Sequence, residues 1–125
     1  MLVITPDDAA VVTTPNGRVT RLATPSLGSA ELSTWRLRME PGSAGPVHSI
    51  DREQILMPVE GAFEITVDAV AHRVAAGQVA VLPAGVVRQV RPAGERAAEA
   101  VVCMPVGGVA LLPETGETRD LPWAR

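Results

Sequence analysis

Residues 53–92 read EQILMPVEGAFEITVDAVAHRVAAGQVAVLPAGVVRQVRP. Glu53 to Glu60 has the composition of a strand and stops at Gly61. Phe63, Ile65 and Val67 then alternate with Glu64 and Thr66, the period of a half-buried strand. Asp68-Ala69 is a turn, and Val70 to Val74 returns. Gly77 turns the chain again, Gln78 to Leu82 reads as a buried strand, and Pro83-Ala84-Gly85 breaks it before Val86 to Arg91. Turn signals this close together, with no sustained helical period, make the chain all-β, a sandwich or a barrel.

The flanks agree. Val11 to Thr14 and Arg18 to Leu22 enclose Pro15-Asn16-Gly17, and Asn-Gly between β-prone runs marks a hairpin because both residues accept positive φ. Within Glu31 to Glu40, Trp35, Leu37 and Met39 alternate with Thr34, Arg36 and Arg38. Pro41 to Pro46 is an irregular loop, Ala97 to Met104 an apolar strand, and Val109 to Leu112 a last short one. Pro6 to Ala10 suits a single helical turn, and residues 113–125 suit an irregular tail. No repeat or linker divides the 125 residues, so one domain, 1–125, is expected.

Composition removes several function classes. Net charge is −3 and the aromatics are Trp35, Phe63 and Trp123, which offers neither a basic face nor a stacking platform for nucleic acid. No apolar run approaches the ~20 residues of a membrane helix. Met1 to Ile4 is too short for a signal peptide, and a single cysteine makes no disulfide framework or multi-cysteine zinc site. A cytoplasmic location is therefore expected. All 11 basic residues are Arg, which suits a GC-rich bacterial genome.

The middle of the chain resembles the cupin superfamily. Pro41-Gly42, five residues, His48, positions 50 and 54, and Gly61 follow the spacing of the first cupin motif. Gly77, five residues, Pro83-Ala84-Gly85, two residues, and position 88 follow the second, so the motifs lie within 41–91. The glycines sit where strands reverse, and Pro83 where a ladder must stop. The resemblance implies a cupin-type jelly-roll β-barrel with an internal cavity, and a homodimer that covers the edge strands.

In metal-binding cupins the four positions carry two His and a Glu, then a His. Here they are His48, Ile50, Gln54 and Arg88. Ile50 has no lone pair, and Arg88 stays charged and would repel a divalent cation. No metal or other cofactor is expected; a divalent metal held by His48 and Gln54 is the alternative, and a strand bulge turning Asp51 or Glu53 inward would favour it. His48, Gln54 and Arg88 are the candidate ligand-binding residues, with His48 also a candidate general base. Arg88 has two readings. It either forms an internal salt bridge or hydrogen bonds, to Glu60, Glu40 or backbone carbonyls, or it grips an anionic or carbonyl-bearing molecule.

Cys103 reads as a buried, inert thiol, against a nucleophile paired with His48. His72 reads as surface, Arg36 and Arg38 as solvated unless their face lines the cavity, and Trp123 as an anchor on its own barrel or a dimer mate. Three functions follow: a small-molecule-binding cupin acting as a cofactor-free isomerase, epimerase or cyclase; a metal-dependent dioxygenase or isomerase; or a non-catalytic ligand-binding or sensor module. Partners other than a small molecule and a second copy, nucleic acid and membrane included, are not expected.

Overall fold

The computed structural model describes all residues, Met1–Arg125. Twelve strands form in chain order: β1 Val11–Thr14, β2 Gly17–Arg21, β3 Leu32–Met39, β4 Ser49–Ile50, β5 Gln54–Glu60, β6 Ala62–Val67, β7 Val70–Ala75, β8 Ala80–Leu82, β9 Gln89–Pro92, β10 Ala98–Pro105, β11 Val109–Leu112 and β12 Glu117–Asp120. One layer is a six-stranded antiparallel sheet in the order β1-β2-β3-β10-β5-β8. The other consists of two three-stranded pieces, β12-β11-β4 and β7-β6-β9. A single antiparallel bridge between His48 and Arg88 joins those pieces into one curved layer. The result is the expected jelly roll, two sheets packed face to face.

Alternation decides what fills the interior. On β3, Trp35 and Met39 are buried while Arg36 is exposed; on β10, Ala98, Ala100, Val102 and Met104 are buried. From the second layer Ile50, Phe63, Ile65, Val74 and Ala110 join the same core. Ala98, Ala100 and Phe63 are wholly buried. Small residues on the central strand β10 leave volume for the few large ones, so a core with a single phenylalanine closes without many aromatics.

The hairpins form as expected, with one difference of mechanism. Pro15-Asn16 makes the first turn, and the Thr14 hydroxyl accepts from the Asn16 and Gly17 amides at 3.3 and 3.1 Å. Neither Asn16 nor Gly17 has positive φ. Gly17 is needed for space instead: a Cβ there would lie 2.9 Å from the Arg38 carbonyl oxygen. Asp68 and Ala69 carry φ of 50° and 62°, the left-handed pair that a tight β6–β7 hairpin requires. Gly61 has φ of 66°, and a Cβ would fall 2.5 Å from the Ala97 carbonyl oxygen.

The tail is not irregular. Glu117–Asp120 pairs with β11 as β12, and Pro122–Ala124 is a 3-10 turn. Leu121 and Ala124 are buried, and Ser33 Oγ donates to the Ala124 carbonyl. Trp123 packs against the chain's own core. The apolar spacing of Leu121, Trp123 and Ala124 was the available signal, masked by the polar residues before it.

Candidate functional site

The His48–Arg88 bridge fixes the site. The His48 amide donates to the Arg88 carbonyl at 3.0 Å, and the Arg88 amide to the His48 carbonyl at 2.9 Å. Directly opposed residues in an antiparallel pair send their side chains to the same face. Arg88 is only 1% exposed and is the largest fully buried side chain of the protein. It crosses the interior between the sheets: Nη2 donates to Gln54 Oε1 on β5 at 2.6 Å, and Nη1 donates to the Val86 carbonyl at 2.8 Å. Gln54 Nε2 in turn points at the Met104 sulfur, 3.5 Å away.

Arg88 and Gln54 are thus brought together as expected, and of the internal partners expected for Arg88 a backbone carbonyl, that of Val86, is present, whereas the carboxylates of Glu40 and Glu60 are not. Glu40 and Glu60 pair with Arg38 at the surface, at 3.0 and 3.5 Å. No carboxylate forms an ion pair with Arg88; its oxygen partners are an amide and a backbone carbonyl. Burial without a counter-charge pushes its pKa down to about 10, so it remains a cation at neutral pH.

His48 is half-buried, and its Nδ1 lies 2.8 Å from the Pro46 carbonyl oxygen. A carbonyl only accepts, so Nδ1 carries the proton and Nε2 keeps the lone pair. Burial lowers the pKa of the ring, against the Pro46 hydrogen bond, which raises it; Arg88 lowers it further. A base depressed in the folded state costs stability as pH falls from the unfolded value toward the folded one, and the loss levels off below that. Stability is therefore expected to fall as pH drops below the ordinary imidazole value of about 6.5, and His48→Gln is expected to flatten that part of the profile in urea melts.

Ile50, 1% exposed, faces the interior one alternation beyond His48. The chain bends out of the sheet over residues 51–53, and Asp51 and Glu53 both face solvent. No bulge brings either carboxylate inward: Asp51 Oδ1 accepts from the Val109 amide at 2.7 Å. No three His, Cys, Asp or Glu side chains group closely enough to hold a metal ion. Of the four positions, Ile50 lacks a donor atom, and Arg88 puts a fixed positive charge where a cation would sit. This set does not fit a divalent metal.

Cys103 departs from the expectation of a buried thiol. It is half-buried on the outer face of β10, since Val102 and Met104 take the inner positions. It cannot meet His48 across the interior. Arg36 and Arg38 also lie on the outer face, so they add nothing to the internal charge. Two open grooves flank the barrel. One, of about 400 Å³, is lined by Ser26, Val106, Val109, Asp120 and Leu121 among others. The second, about 520 Å³, lies between the edge strands β7 and β8, with Ile65, Val67, Val74, Ala80, Leu82 and Val86 in its lining. His72 is exposed as expected and lies on the rim of the second groove. The Val86 carbonyl and the second groove have no side-chain motif that the sequence could display.

The sequence model of the cupin domain family matches residues 35–104. The chain belongs to the cupin family. Among solved structures, this cupin is similar to a Cupin 2 conserved barrel domain protein from Salinispora arenicola CNS-205, with 23% identity, 83% of this chain and 88% of the other covered, and a TM-score of 0.71. It is similar to a sugar phosphate isomerase of the cupin superfamily from Silicibacter pomeroyi DSS-3 at 22% identity, covering 78% and 65% of the two chains with a TM-score of 0.68. The polyketide cyclase RemF from Streptomyces resistomycificus is similar at 14% identity, 77% and 67% coverage and a TM-score of 0.68. At such identities the likeness is one of fold. No curated protein matches this cupin, and none of its helices is long and apolar enough to cross a membrane.

Proposed function

We propose that this cupin binds a small anionic or carbonyl-bearing organic molecule at Arg88 and uses no metal to do so. The observation that carries the reading is a fully buried guanidinium, at the position of a metal ligand, with no carboxylate to neutralise it. A buried cation without a counter-ion is costly, and an incoming carboxylate, phosphate or enolate would relieve that cost through a planar, two-pronged contact. Arg88 then fixes the anion or carbonyl oxygen. His48, neutral and with Nε2 free, is the base that removes a proton from the adjacent carbon. Together they supply the acid–base chemistry of a cofactor-free isomerisation, epimerisation or cyclisation. Structures of similar fold named as a sugar phosphate isomerase and a polyketide cyclase are consistent with such chemistry in a cupin barrel.

A thermal-shift panel of acetate, pyruvate and inorganic phosphate, with glycerol as the neutral control, tests this reading. At least one anion is expected to raise Tm in the wild type and to leave Arg88→Met unmoved. Equal shifts in both proteins would remove Arg88 from the binding site.

We further propose a homodimer formed through the outer face of the six-stranded sheet. Ile55, Met57, Val101 and Cys103 form paired rows there, with Val59 and Val81 each more than half exposed. Arg36 and Arg38 border the rows together with Glu60 and Glu99, a rim of mixed charge that suits a second copy of the same face. Light scattering after size exclusion is expected to give the mass of two chains for the wild type and of one for Val101→Glu. A monomeric wild type at micromolar concentration would contradict the interface.

A further inference from the structure

The groove between β7 and β8 shares two lining residues with the surroundings of Arg88. Leu82 lines the groove and is the register partner of Gln54, which holds the guanidinium. Val86 lines it too, and its own carbonyl accepts from Arg88 Nη1. The inner surface is apolar: Ile65 and Val67 from β6, Val74 from β7, Ala80 and Leu82 from β8. Its volume, about 520 Å³, falls in the ~300–1,000 Å³ range of small-molecule sites. Arg73 stands on the rim and forms no ion pair, because its cross-strand neighbour Glu64 is held by Arg91 at 2.7 Å.

We propose that this groove is the entrance to the binding site and that the ligand is amphipathic, an apolar body carrying a single carboxylate. The inference rests on the reading of Arg88 as the ligand-binding cation. The body lies on Ile65, Val67, Val74 and Ala80. The carboxylate takes the Nη1 donor that Val86 now occupies, and the freed Val86 carbonyl turns to water. Arg73 draws the acid to the rim. The rim cation and the inner cation give the groove one polarity, so a neutral molecule of the same length has no equivalent anchor.

Calorimetric titration with octanoate, butyrate, acetate and octanol, on the wild type, Ala80→Phe and Arg88→Met, tests the proposal. The wild type is expected to bind octanoate at least about twentyfold more tightly than butyrate, because the additional methylenes reach apolar surface. Octanol is expected to bind far more weakly than octanoate. Ala80→Phe fills the groove, so it loses octanoate; Arg88→Met loses octanoate and acetate. Valine-methyl shifts in the wild type, confined on octanoate addition to Val67, Val74, Val81 and Val86, provide the same test without a mutation. Octanoate binding unchanged in Ala80→Phe, or methyl shifts elsewhere, overturns the groove while leaving the role of Arg88 intact. Acetate and octanoate binding unchanged in Arg88→Met overturns the role of Arg88 itself, and with it the placement of the carboxylate.

Discussion

The combined replacement Ile50→His, Gln54→Glu and Arg88→His is expected to turn the barrel into a metal binder. Residues 48 and 88 are tied backbone to backbone at 3.0 and 2.9 Å, so a histidine at 88 would stand beside His48. Positions 50 and 54 already face the interior, since Ile50 is 1% and Gln54 8% exposed. His48 is pre-oriented by the Pro46 carbonyl on Nδ1, which leaves Nε2 as the donor and supplies the outer hydrogen bond that metal-binding histidines use. The change also removes the internal positive charge and adds a carboxylate. Titration calorimetry with Zn²⁺ is expected to give a Kd of about 1 µM or lower in the triple variant, and no binding heat in the wild type. A wild type that binds Zn²⁺ as tightly as the variant would show that the interior charge had been misassigned.

Gln54→Leu is expected to destabilise the fold by about 2–4 kcal/mol, because it strips an acceptor from a buried cation that has no carboxylate to replace it. The size of Leu is close to that of Gln, so packing contributes little to the loss. The penalty belongs to the charge, and removing the charge should therefore lift it. In the double variant Gln54→Leu/Arg88→Met, most of the lost stability is expected to return. Urea denaturation of the two single variants, the double and the wild type closes the cycle. If the double variant were as unstable as the sum of the singles, the two residues would not be acting on one another.

Much of the barrel is legible in the residues because strand alternation and turn chemistry are local. Phe63, Ile65 and Val67 give away β6, Asp68-Ala69 its hairpin, and the spacing of His48, Gly61 and Gly77 the family. Gly42, Gly61, Gly77 and Gly85 all take the positive φ that the motif requires. The site is legible only as a set of residue numbers. That His48, Gln54 and Arg88 converge follows from alternation, but the partners of Arg88 do not. A backbone carbonyl is among the expected partners, but which one carries no sequence signature, and Glu40 and Glu60 are taken by Arg38 at the surface. The β12 pairing and the burial of Cys103's neighbours rather than Cys103 depend on register, which a one-residue shift reverses. The groove between β7 and β8 exists because two edge strands fail to meet, a property of the assembled sheets.

The central claim is that Arg88 is a ligand-binding cation in place of a metal centre. A crystal structure of the wild type soaked with pyruvate tests it most directly. Density for the carboxylate or carbonyl oxygen within hydrogen-bond distance of the Arg88 guanidinium, with Gln54 or Val86 displaced from it, is the predicted result. An Arg88 still bound to both Gln54 Oε1 and the Val86 carbonyl, with no ligand beside it at saturating pyruvate, would contradict the account and leave Arg88 as a strut between the two sheets.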